Sequence, residues 1–363
     1  MKTKLLIIAV TLPLVFGCEK SNVDDNGGKD NTEQGGNAGG YDPGKDDPTA
    51  ELPPLDDVDD VCTKMDDINF MGYCYEEFDV NKDGKVSMTE ANAVSVIECN
   101  NASSFTGIGY FANLTKFKSS SATALNLAYN RKLASIDCSY SPLETIDLRH
   151  NTLISEICFY GCTKLTKILL ADEAPLESVN EDSFKNCKLL STISLPDNCK
   201  TIGNMSFYTL RNLSKIKFPK NLASIGNYAF YGCSALTSVT FPDGLTSIGD
   251  YAFKDCSGLT SVTFHDGLTS IGDSAFKNCT GLTSVTFPDG LTSIMNYAFI
   301  GCTALVDVKV LSVYPPKLDI GAYRDINHFE RLDNAVLHVP AGNVDAYKSS
   351  HWVHFFNTIV EIK

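Results

Sequence analysis

The 363-residue sequence contains one tryptophan, six histidines and no apolar run long enough to cross a bilayer. A spanning helix needs about 20 apolar residues; the run at 5–16 stops well short. No G-x-S-x-G elbow, H-E-x-x-H pair or phosphate-binding loop occurs. The acids Asp243, Asp266 and Asp289 each precede a glycine, which marks turns and not acid–base pairs. No constellation for catalysis is left, so a non-catalytic protein is expected. There is no basic patch either. The net charge is −14, which repels phosphate and argues against a nucleic-acid partner. That charge is uneven: between Glu19 and Asp60 stand 13 acidic residues and 3 basic ones, so the rest is only mildly acidic.

The N-terminus reads as an export signal. Lys2 and Lys4 precede the apolar stretch, and Leu14-Val15-Phe16-Gly17-Cys18 resembles a bacterial lipobox. Residues 1–17 are therefore expected to be a lipoprotein signal peptide and Cys18 the lipidated residue; the alternative is a plain signal cleaved nearby. Acyl chains on Cys18 would anchor the protein to the outer membrane. Residues 18–60, rich in Asp, Asn, Gly and Pro, read as a disordered acidic tether. The tether resembles the acidic signal of surface-exported lipoproteins in the Bacteroidetes, which implies a protein facing outward; the alternative is the periplasmic face.

Residues 61–102 are expected to form a small helical unit. Ile68, Met71, Cys74, Tyr75 and Phe78 fall at helical steps after a cap at Asp66 or Asp67. A second run, Ser87 to Ile97, carries Met88, Ala91, Val94 and Ile97 on one face. Between them, the twelve residues 79–90 fit the EF-hand pattern. Calcium is a hard cation that takes six to eight oxygens. Asp79, Asn81 and Asp83 offer side-chain oxygens, Lys85 its backbone carbonyl, Ser87 a water-mediated contact and Glu90 both carboxylate oxygens; Gly84 permits the bend. No second loop is found. The three carboxylates suit weak binding, about 10⁻⁴ to 10⁻³ M, as in extracellular modules with structural Ca2+.

From Gly107 onward the chain is repetitive. Leu143 to Asn151 follows the leucine-rich-repeat core L-x-x-L-x-L-x-x-N, with strand centres at Leu125, Ile146 and Ile168 and half-steps at Ile136 and Ile157. Then the beat becomes strict. Phe184, Phe207, Phe230, Phe253, Phe276 and Phe299 are each 23 residues apart. A fixed period in the twenties means a solenoid, whose units cannot bury their apolar faces alone. The expected fold class is α+β. The helical EF-hand-like unit is followed by a β-rich solenoid of period 21–23, in short repeats over 103–180 and 23-residue repeats over 181–311. The region 312–363, with the single Trp352, is expected to cap its open end. His351 and His354 read as ordinary residues of that cap. Cys187, Cys233, Cys256, Cys279 and Cys302 share one repeat slot, filled by Leu210 in another unit, which makes it an apolar core slot. Cys62, Cys74 and Cys99 could pair among themselves.

Repeats of the form I-G-x-x-A-F-x-x-C-x-x-L-x-x-V-x-F-P resemble those of the BspA-like leucine-rich-repeat surface lipoproteins of Bacteroides and relatives. The resemblance implies adhesion or recognition, with a macromolecular ligand, a protein of host matrix, epithelium or another bacterium. The candidate face is the outward side of the strands: Thr237, Ser238 and Thr240, then Thr260, Ser261 and Thr263, then Thr283, Ser284 and Thr286. Its bland alternative is a solvated sheet surface. The face lacks aromatics and is a poor platform for sugar stacking, which weakens the other reading, a glycan-capture component of a nutrient-uptake complex. Tyr228, Tyr251 and Tyr297 recur at the turns and could supply a second face.

Overall fold

Each unit of the array is an apolar–polar alternation too short to stand alone. In Ser238–Thr240 only Val239 points inward, and Ser261–Thr263 repeats the pattern. A 23-residue coil brings equivalent residues level, so the strands pair in parallel with Val239 on Val262, Val262 on Val285 and Val285 on Val308. The computed structural model describes residues 51–318 and 332–362. It is a β-solenoid of stacked parallel strands with few helices.

Three walls surround the core. The first carries the Ser-Val-Thr strands and ends in Leu332–Val339 and Phe356–Glu361. The second is a seven-stranded ladder of two-residue strands, from Ser178–Val179 to Lys317–Leu318. The third is the Ala-Phe turn, which forms its own rung-to-rung bonds: the Phe230 N–H donates to Ala252 O at 2.7 Å and the Phe253 N–H to Ala275 O at 2.7 Å. Inside, Phe207, Phe230, Phe253, Phe276 and Phe299 form a continuous stack at 4.9–5.2 Å.

The repeat's invariant-looking pieces have separate causes. Gly249 abuts the previous rung: a Cβ there would lie 2.6 Å from Asn227 Oδ1 and 2.7 Å from a backbone carbon. The residue after each glycine forms a ladder, with Asp250 N–H on Asn227 Oδ1 and Asp273 N–H on Asp250 Oδ1, both at 2.8 Å. The cysteines hold a third line. Cys233, Cys256, Cys279 and Cys302 donate Sγ–H to the carbonyls of Phe207, Phe230, Phe253 and Phe276 at 3.1–3.3 Å. All twelve described cysteines are free thiols, and all but Cys158 are buried. No pairing joins Cys62, Cys74 or Cys99.

The N-terminal part departs from expectation in four places. Helix α1 (Ile68–Phe78) turns Phe70 and Cys74 inward and leaves Ile68 80% exposed, because Ile68 is its first residue and precedes the packed turn. Helix α2 (Met88–Ala93) stops at Ala93. Ile97 does not extend it: Val96–Glu98 is a strand paired with Lys116–Lys118. The array thus begins inside the 61–102 unit, ahead of Gly107. The steps Met88, Ala91, Val94 and Ile97 satisfied a helix face by coincidence; β-branched Val94, Val96 and Ile97 favour the strand. Ile136 and Ile157 are full strand centres in that same sheet, not half-steps. Leu125 lies outside any strand, beside a lone bridge from Ser104 to Ala124.

Candidate functional site

The loop between α1 and α2 is folded by its own acidic side chains. Asp79 caps it from the front, accepting the N–H groups of Asp83 at 3.2 Å and Gly84 at 2.9 Å. Asn81 Oδ1 accepts from Asp83 N–H at 2.8 Å, and Asp83 Oδ1 from Lys85 N–H at 3.0 Å. Such a winding needs left-handed backbone at Lys82 (φ 59°) and Gly84 (φ 85°). Glu90 closes the circle. One of its oxygens accepts from Val80 and Asn81 at 3.0 and 3.2 Å, the other from the Ser87 N–H and hydroxyl at 2.9 Å. Ser87 Oγ accepts the Glu90 N–H in return, a reciprocal cap. These bonds, led by Ser87 N–H, hold the Glu90 carboxyl below its usual range.

Asp79, Asn81, Asp83, Lys85, Ser87 and Glu90 thus share one closed turn whose donors are all oxygens. That chemistry fits a hard cation. The carboxylates are engaged with backbone amides of the same loop. Among the described residues no three His, Cys, Asp or Glu side chains form a metal cluster, His351 and His354 included, their rings 6.1 Å apart.

One set of partners was not foreseen. Val86, at the centre of the loop, is fully buried. Its carbonyl accepts the Val61 N–H at 2.9 Å, and its N–H donates to Asp60 Oδ1 at 3.1 Å. Asp60 Oδ2 accepts the Tyr75 hydroxyl at 2.7 Å; that bond, with burial, pushes the Tyr75 phenol up. Asp60 closes a run of acids, so its composition marked it as tether. The only sequence signal was the apolar pair Val61-Cys62 directly after it.

The hydroxyl face is brought together as a lattice. Thr237, Ser238, Thr240, Thr260, Ser261, Thr263, Thr283, Ser284 and Thr286 are all exposed, in three level rows. Thr260 and Thr283 turn their hydroxyls onto the previous rung's carbonyl, at 3.0 and 3.4 Å, which leaves the Ser and second Thr columns pointing outward. On the Ala-Phe wall, half-buried Tyr228 and Tyr251 stack at 4.7 Å, and the Lys254 ammonium sits 5.0 Å from the Tyr231 ring centre. Cys18 lies outside the described residues.

The sequence pattern described as "BspA type Leucine rich repeat region" matches in 6 copies, over 132–256 and 223–315. Together these span just over half of the chain. The chain belongs to the BspA-type leucine-rich-repeat family. Solved structures similar to this BspA-type chain include the leucine-rich-repeat protein of T. pallidum, at 31% identity over 39% of this chain and 70% of that one, TM-score 0.37. A leucine-rich-repeat protein from Bacteroides ovatus is 18% identical over 75% of this chain and 85% of its own, TM-score 0.33. A leucine-rich cell surface protein from Faecalibacterium prausnitzii is 18% identical over 69% and 77%, TM-score 0.32. Comparison with curated proteins finds no match.

Proposed function

We propose that this BspA-type protein is a non-catalytic cell-surface lipoprotein that recognises or adheres to macromolecules, with a protein of host matrix, epithelium or another bacterium as ligand. The observation that carries the reading is the lattice of level, exposed hydroxyl rows on a rigid solenoid wall. The rows are held by buried Val239, Val262 and Val285, so the face needs no ordering on binding. Cys18 would tie it to the outer membrane, and the acidic tether would hold it clear of the surface. Binding of the full-length protein to immobilised matrix proteins and to a glycan array tests the reading. Replacing Thr240, Thr263 and Thr286 together by Lys should abolish protein capture while leaving the melting profile intact. Capture of glycans alone would instead favour a nutrient-uptake component.

Calcium belongs to the same proposal. Asp79, Asn81, Asp83, Lys85, Ser87 and Glu90 would hold one Ca2+ as a structural ion, supplying positive charge where three carboxylates crowd one turn. The support is the all-oxygen donor set on a loop already closed from Asp79 to Glu90.

A further inference from the structure

We infer that Asp60 is a positioning residue for the calcium loop, and that calcium bound there locks the root of the tether onto the array. The inference rests on the calcium reading and adds a partner and a consequence to it. An EF-hand loop normally exchanges backbone bonds at its eighth residue with a second loop, and the sequence has no second loop. Here that residue is Val86, and both of its backbone groups are nonetheless satisfied. Val61 N–H donates to its carbonyl at 2.9 Å, and Asp60 Oδ1 accepts its N–H at 3.1 Å. The segment immediately after the tether takes the place of the missing loop.

The same carboxylate is fixed from two other directions. Its Oδ1 also accepts the Cys62 N–H at 3.0 Å, and its Oδ2 accepts the Tyr75 hydroxyl of α1 at 2.7 Å. Asp60 therefore ties three things together: the chain arriving from the anchor, the first helix and the centre of the loop. Asp60 is only 9% exposed, and Val61, Cys62 and Val86 are sealed from solvent. Any pull between the membrane and a bound ligand passes through this junction. A cation that stiffens the loop stiffens Val86, and Val86 is what Asp60 and Val61 grip. By linkage, a latch that favours the calcium-ready loop must raise calcium affinity by the factor with which calcium strengthens the latch.

Two measurements on the full-length protein test this. Calorimetric titration with calcium chloride gives the affinity, and amide exchange followed by mass spectrometry reads the segments containing Val61 and Val86. Calcium should slow exchange in both segments at least tenfold. Asp60→Ala, which deletes all three acceptor bonds, should weaken calcium binding about tenfold, the size expected from lost buried hydrogen bonds. Asp60→Asn keeps an oxygen for Val86 and Cys62 and should restore most of that affinity, a recovery that a mere loss of stability would not predict. Calcium binding with unchanged exchange at Val61 and Val86 overturns the latch and leaves the loop reading standing. Absence of heat on titration of the wild type removes both. The exchange arm needs no variant, so an Asp60→Ala protein that misfolds does not shelter the proposal.

Discussion

At the residue scale, the repeat is a set of separate physical demands that happen to share one period. The cysteine slot shows how two properties select one residue. It must be apolar, since Leu210 fills it in one rung, yet each thiol also satisfies a carbonyl of the preceding rung. Burial pushes the Cys233 thiol up to about 12, and the same cause raises Cys256 and Cys279. A thiol whose folded pKa is raised keeps its proton in the native state after the unfolded chain would lose it. The folded state then binds more protons, so stability falls as pH rises from about 9 toward 12. Denaturant midpoints measured across that range should decline steadily; a flat profile would mean the ladder is not as dry as it looks. Iodoacetamide should first label half-exposed Cys158. The glycine of the same motif makes a sharper demand. Gly249→Ala places a methyl 2.6 Å from Asn227 Oδ1 and 2.7 Å from backbone, which cannot retreat, so a loss of about 2–3 kcal/mol is expected in urea unfolding.

At the scale of elements, legibility followed the strength of the period. The 23-residue beat marked the solenoid rungs over 181–311, because one in-register copy repeats the same alternation and a slip would turn every Val outward. The helix–loop–helix stretch was legible through its cap, and Asp67 does fill that place. Desolvation opposes its charge, but the N–H groups of Ser103, Ser104 and Phe70 hold its carboxyl well below the ordinary range. What could not be read was the joint between helix and sheet. Val94 to Asn100 is too short for its period to declare itself, and only pairing with Lys116–Lys118 decides it. Nor did the apolar pair Val61-Cys62 reveal what Asp60 does, since its role comes from a contact 26 residues away. For the loop itself, calcium in about tenfold excess over its dissociation constant should stabilise the native state by about 1.4 kcal/mol. That corresponds to a rise of a few degrees in melting temperature, roughly 2–5 °C. Glu90→Gln should lose the rise without lowering the calcium-free melt by more than about 1 kcal/mol, since its cap partner Ser87 remains. An equal calcium shift in the variant would count against Glu90 as a ligand.

At the scale of the molecule, a solenoid is a sum of rungs and rung-to-rung contacts, so whole units should be removable. The rung from Cys256 to Asn278 is the best candidate. Excising it joins Asp255 to Cys279, which places Val239 beside Val285 and Phe253 beside Phe299 with no change of phase. The join also removes Ser274, which interrupts the tyrosine column: Tyr251 would meet Tyr297 directly, in the relation that Tyr228 and Tyr251 already hold at 4.7 Å. The core would lose Phe264 and Phe276, with one stacking contact from each phenylalanine column and the edge contact between them, and the surface would regain a ring pair worth about 0.5–1.5 kcal/mol. The shortened protein should fold and keep its circular dichroism, with a melting temperature only slightly lower. Removing Trp352 should do more harm. Its indole N–H donates to Pro316 O at 3.0 Å and its ring closes on Phe287 and Phe356, so Trp352→Ala opens the end of the stack, at a cost of about 3–5 kcal/mol. The excision also bears on recognition. It takes away Thr260, Ser261 and Thr263 and leaves two hydroxyl rows of three. A ligand that lies across those rows should bind the shortened protein at least tenfold more weakly. Unchanged affinity in a protein that still melts cooperatively would move the binding face off the Ser-Val-Thr wall and onto one of the other two.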